Sequence, residues 1–83
     1  MNQSARTAKQ IGAIIRRARR NAGLTQIDLG KRIGLRQATI SRLEKGEEQT
    51  KLSTLLAVLS ALGLEIIIDK RGRASTWRLE DIF

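Results

Sequence analysis

Apolar residues recur along the chain with the period of an amphipathic helix. Ile11, Ile14, Ile15 and Ala18 fall at i, i+3, i+4 and i+7, the spacing that lines one face of a helix. They predict a first helix over 8–22, with Ser4 or Thr7 able to cap its start and Gly23 able to end it in a left-handed turn. A second helix is expected from a Thr25 N-cap through Ile33, ending at Gly34. After Leu35-Arg36, a third runs from Gln37 to about Lys45 and closes at Gly46. Thr50 is the expected cap of a fourth, in which Leu52, Leu55, Leu56, Leu59 and Leu62 repeat the stripe before Gly63.

At Leu64 the pattern changes. Leu64-Glu65-Ile66-Ile67-Ile68-Asp69 is β-branched, with Leu64, Ile66 and Ile68 on one face. A lone strand leaves backbone groups unpaired, and the sequence offers no second strand. The natural partner is the same strand of another copy, through Leu64, Ile66, Ile67 and Ile68, in an antiparallel ribbon across a two-fold homodimer. The expected organisation is an all-α four- or five-helix domain over 1–63, a dimerisation strand over 64–69 and a C-terminal tail over 70–83.

Composition narrows the chemistry. With 83 residues the chain is one domain near the low end of independent folding, so dimerisation would add burial it lacks alone. Aromatics are confined to Trp77 and Phe83, so the core is aliphatic. There is no Cys and no His, which removes disulfides, thiol nucleophiles, thiolate metal sites and the usual general base. The carboxylates are scattered and no Gly-rich phosphate loop is present. We therefore expect no catalytic residues, no metal, no cofactor and no enzymatic activity. Residues 1–9 lack the apolar run of a signal peptide, and 52–68 is too short and too polar to cross a bilayer. The expected setting is the cytoplasm.

The net charge of +8 is lopsided. Residues 1–45 hold eleven Lys and Arg against Asp28 and Glu44, whereas 46–83 hold five against six acids. A basic half joined to a near-neutral half points to a polyanion-facing surface.

Residues 25–46 carry the motif. Leu29, Ile33, Ile40 and Leu43 are placed to pack two helices together, Gly30 to let them approach where they cross, and Gly34 to supply the positive φ of the turn between them. Arg36, Gln37, Ala38, Thr39 and Arg42 are left on the outward face of the second helix, whose N-terminal residues reach base edges in a helix-turn-helix. Arginine forks onto guanine O6 and N7, glutamine onto adenine N6 and N7, and a threonine methyl meets a thymine methyl. Thr25 and Gln26, at a helix N-terminus, with Lys31, Ser41, Lys45 and Thr50, suit phosphate oxygens. The competing reading is an ordinary helical hairpin with solvated polar faces.

The run Gly23-Leu24-Thr25-Gln26, Leu29, Ile33-Gly34, Gln37, Ile40-Ser41, Leu43-Glu44 and Gly46, followed by Leu52–Leu62, resembles the Xre/Cro-type repressor family over residues 8–63. Gly34–Ser41 together with the Leu64–Asp69 segment resembles, more narrowly, the HipB-type antitoxins. The resemblance implies a λ-repressor-like domain, strand pairing across a dimer, a palindromic double-stranded operator, and a tail that meets a HipA-like kinase toxin. It also implies a scaffold salt bridge between Arg19 and Glu44. Trp77, Leu79, Ile82 and Phe83 are the candidate docking residues of that tail. Family members often carry Ala where Gly30 stands.

The expected function is a dimeric, sequence-specific repressor serving as antitoxin and regulating its own operon. A phage-type repressor or a restriction-modification controller protein has the same fold and is the alternative. An inhibitor acting only on protein would leave the outward face of the third helix without a role, and single-stranded RNA binding lacks an aromatic platform. Two features stay open: Arg16–Arg20 can touch phosphates or simply be solvated, and Ile27 is an apolar residue at an outward position.

Overall fold

The computed structural model of the chain describes residues 4–47 and 49–70. Four helices follow one another: α1 (Ala8–Asn21), α2 (Gln26–Ile33), α3 (Gln37–Glu44) and α4 (Leu52–Ala61). No strand occurs among the described residues, and 64–70 has no regular secondary structure in the single chain. The expected tail residues Trp77, Leu79, Ile82 and Phe83 lie outside the described residues.

Local chemistry sets the helix ends. Thr7 caps α1, its hydroxyl accepting the Gln10 N–H at 3.1 Å. Helix α2 opens on a complete capping box. The Thr25 hydroxyl accepts the Asp28 N–H at 3.0 Å, and Asp28 Oδ2 accepts the Thr25 N–H at 3.0 Å. That backbone bond, with the Thr25 hydroxyl, holds the Asp28 carboxyl below the usual carboxylate range. The ionised form is the one that caps. Its contribution is complete above the ordinary carboxylate pKa and is lost as the pH falls through the lowered one.

At the end of α2, Gly34 takes φ 70°, and Leu35 N–H returns to the Gly30 carbonyl at 2.8 Å. Gly30 lies buried at the crossing itself. A Cβ there would run into the carbonyl oxygen of Leu35, a backbone atom that cannot swing away. An alanine at this position therefore does not fit the turn as it stands.

The start of α4 differs from expectation. Its N-cap is Lys51, with no side-chain cap, while the Thr50 hydroxyl donates to the Glu47 carbonyl at 3.4 Å. The apolar stripe is also rotated. Val58 and Leu59 are buried, Leu55 and Leu62 pack against the core, and Leu52 and Leu56 face outward at 64% and 46% exposure. In a helix this rich in aliphatic residues, sequence spacing alone does not set which face turns inward.

Among the described residues the core is small and wholly aliphatic. Ile15, Leu29, Ile40 and Val58 are fully buried, joined by Leu43 and Leu59. Ile11, Ile33, Leu35, Ala61 and Leu64 close around them. Each such side chain contributes about 1.5–3 kcal/mol when taken out of water. Through this core α3 packs on α1 and on α2, and α2 packs on α4.

One polar contact is built into this packing. Arg19 of α1 and Glu44 at the end of α3 are both buried and meet in a fork: Arg19 Nε donates to Glu44 Oε2 at 2.6 Å and an η-nitrogen donates to Oε1 at 3.0 Å. The other η-nitrogen donates to the Leu24 carbonyl at 2.8 Å, tying in the turn that leads to α2. Hydrogen bonding to Glu44 raises the Arg19 pKa against the opposing effect of burial. No buried side-chain polar atom among the described residues lacks a partner. Such a pair is costly to break from one side only, because the remaining charge stays buried. Arg19→Ala is therefore expected to lose about 3–5 kcal/mol of stability in urea unfolding. The double variant Arg19→Met/Glu44→Leu should lose much less than the sum of the two single changes. Additive losses would contradict the pairing.

Candidate nucleic-acid interface

Helix α3 is pinned from behind. Ile40, Leu43 and Glu44 turn into the protein, which forces the remaining positions of a 3.6-residue repeat outward. Arg36, Gln37, Ala38 and Arg42 are exposed, and Thr39 and Ser41 are half-buried along the flanks. Arg36 is the N-cap, in extended conformation (φ −76°, ψ 152°), so its side chain stands at the helix entrance with no capping bond of its own. The face so formed is two arginines, an amide, a hydroxyl-bearing edge and a methyl. It has the donor and acceptor types that distinguish base pairs in a major groove.

Gln37 is not left to rotate freely. Its Nε2 donates to Gln26 Oε1 at 3.3 Å, and Gln26 Nε2 donates to Glu44 Oε1 at 3.1 Å. Glu44 is in turn held by Arg19. A continuous chain of hydrogen bonds thus runs from the buried ion pair, through the first residue of α2, to the exposed entrance of α3. The Gln37 carbonyl oxygen and its second amide hydrogen remain available, one acceptor and one donor side by side. That is the pair needed to meet adenine N7 and N6.

The residues anticipated as phosphate contacts are placed unequally. Thr25 is exposed at the N-terminus of α2, where the backbone N–H groups and the helix dipole favour an anion. Lys31 and Lys45 are exposed. Ser41 and Thr50 are half-buried. Gln26 is half-buried too, and both ends of its amide are engaged within the protein. Its bridging position leaves no local mark in the sequence. Gln26, Gln37 and Glu44 are far apart in the chain, and only the crossing of α2 and α3 brings them together. Ile27 is 48% exposed on α2.

Among the described residues no group of three or more potential ligands is gathered that would hold a metal ion. None of their helices is long and apolar enough to cross a membrane.

Comparison with known proteins agrees with this geometry. The helix-turn-helix family pattern matches residues 15–67. The antitoxin HipB of Escherichia coli is 35% identical over 66 residues, which cover 80% of this chain and 75% of that protein. An HTH-type transcriptional regulator of Methanothermobacter thermautotrophicus is 41% identical over 56 residues, covering 68% of this chain and 81% of the other. Among solved structures, a HipA–HipB–O2–O3 complex contains a chain that superposes with a TM-score of 0.78 at 31% identity, covering 84% of this chain and 99% of that one. A HipB–O4 20mer complex gives the same values. The chain belongs to the Xre-type helix-turn-helix family and is a homologue of the HipB antitoxins.

Proposed function

We propose that this protein is a dimeric, sequence-specific DNA-binding repressor and the antitoxin of a HipA-like kinase, acting on its own operon. The observation that carries the reading is the outward face of α3: Arg36, Gln37, Ala38, Thr39 and Arg42 presented by a scaffold that fixes the helix from behind. Homology to HipB, which is solved in complexes with 20mers and with HipA, supports both halves. We read those 20mers as operator duplexes. In this reading Arg36, Gln37, Ala38, Thr39 and Arg42 meet base edges. Thr25, Lys31, Ser41, Lys45 and Thr50 lie along the backbone, and Gln26 serves mainly to hold Gln37.

Dimerisation follows from what the single chain leaves uncovered. Ile66, Ile67 and Ile68 are 48%, 59% and 93% exposed, directly after Leu64 packs on the core. Pairing Leu64–Asp69 with the same segment of a second copy would satisfy the backbone and cover these side chains. Residues 1–63 then form the reading head, 64–69 the joint and 70–83 the arm that meets the kinase. Two α3 helices would enter successive major grooves about 34 Å apart on a palindromic site. Repression follows from occupying the promoter, and the protein works in the cytoplasm, on the nucleoid, without catalysis of its own.

The test is binding to a duplex selected by the protein from a random pool, compared with a scrambled duplex. Gln37→Ala and Arg42→Ala should each weaken binding to the selected duplex by about 1–3 kcal/mol and leave the scrambled one nearly unchanged. Equal affinity of the unaltered protein for both duplexes would sink the reading. For the antitoxin role, deletion of residues 74–83 should abolish co-purification of a kinase partner encoded beside it while sparing duplex binding. Retention of the kinase by the truncated chain would remove the tail from that role.

A further inference from the structure

Away from the reading face, α1 carries a feature that base recognition does not use. Lys9, Arg16, Arg17 and Arg20 form one stripe along the helix, and Lys45, just past the end of α3, closes its far side. Together they line an open groove of about 550 Å³. All five cations are exposed, and none makes a side-chain hydrogen bond or ion pair with another described residue. The carboxylate at the floor, Glu44, is already neutralised by Arg19. Helix α1 has no acidic residue. Like charges three and four residues apart on a helix repel one another, and an anion lying in the groove would relieve them.

The shape and position of the groove say which anion. From Lys9 to Arg20 the stripe is about 16 Å long, too long for a single small ion and suited to a run of phosphates, of which each strand of a duplex carries one per about 3.4 Å of helix axis. Guanidinium groups match phosphate oxygens with a planar fork. The groove has no aromatic lining and only Ala13 as an aliphatic residue, so it lacks the anchors that dominate protein–protein contacts. It shares Glu44 with the hydrogen-bond chain that reaches the reading face, since Glu44 accepts from Gln26, which holds Gln37.

We infer that the α1–α3 groove is a second, sequence-blind DNA site, in which Lys9, Arg16, Arg17, Arg20 and Lys45 hold the phosphodiester strand that flanks the bases facing α3. This inference rests on the DNA-binding reading, and its test separates the two. The experiment compares the full chain with the triple variant Arg16→Gln/Arg17→Gln/Arg20→Gln and with the charge-keeping triple change of the same residues to Lys. Each is titrated with the selected and the scrambled duplex over a range of salt. Each neutralised phosphate adds about 0.9 to the slope of log affinity against log salt. The Gln triple should therefore lose about 2–3 from that slope on both duplexes, with the selected-to-scrambled ratio unchanged, and the Lys triple should keep the original slope. Should the Gln triple fail to fold, Arg17→Gln and Arg20→Gln singly should each lose about 0.9.

An unchanged slope in the Gln variants overturns the inference. So does an equal loss in the Lys triple, which would indicate shape and not charge. Loss of a protein partner with DNA binding intact would make the groove a protein-binding face and overturn it as well. Failure of the unaltered chain to prefer the selected duplex defeats the base-reading proposal alone, since the groove is judged on the scrambled duplex.

Discussion

The buried fork between Arg19 and Glu44 is the contact on which the rest of this structure turns. With six buried aliphatic side chains among the described residues, the core has little apolar area to fix the angle between short helices. Aliphatic packing also tolerates some sliding. A charged pair with two hydrogen bonds does not, because a small displacement leaves charge buried and unpaired. By joining α1 to the last residue of α3, and the turn before α2 through the Leu24 carbonyl, it sets three helices relative to one another. The same carboxylate then reaches Gln26 and, through it, Gln37. Rigidity made in the interior is thereby delivered to the surface.

On the proposed reading, that arrangement divides the labour of binding. Side chains that reach base edges need a fixed direction to discriminate, whereas phosphate contacts tolerate flexible ones. Gln37 is oriented by a chain of bonds, while Lys9, Arg16, Arg17, Arg20 and Lys45 stand exposed at the surface. A basic half carrying both kinds of surface, with an apolar segment uncovered at its other end, is what a chain needs that meets a polyanion on one side and its own copy on the other.

Much of the fold was legible from the residues because the decisive signals were local. Thr7 and Thr25 cap helices with their own hydroxyls, and Gly23, Gly34, Gly46 and Gly63 all take positive φ at the turns where they were expected. The outward face of α3 could be read from the inward demands of Ile40 and Leu43. Signals failed where they were not local. A local signal also misled at α4, which begins one residue later than its threonine suggested: Lys51 is the N-cap, with no side-chain cap, and the Thr50 hydroxyl donates to the Glu47 carbonyl. Seven of the ten residues of α4 are apolar, more than one face needs, so its phase was decided by what α2 offered it, leaving Leu52 and Leu56 outside and Val58 within. The bridging of Gln26 required the helix crossing itself. Whether Leu64–Asp69 pairs as a strand belongs to an assembly of two chains and not to one.

The most direct test of the central claim is the effect of Gln26→Ala on two affinities measured side by side, for the selected duplex and for its scrambled counterpart. If the ion pair acts on recognition through Gln26, this variant should lose selectivity, with binding to the scrambled duplex preserved. Equal weakening of both would make Gln26 a plain phosphate contact, and unchanged affinities would make it a bystander. Either result would contradict an account in which the buried charge directs the reading of bases.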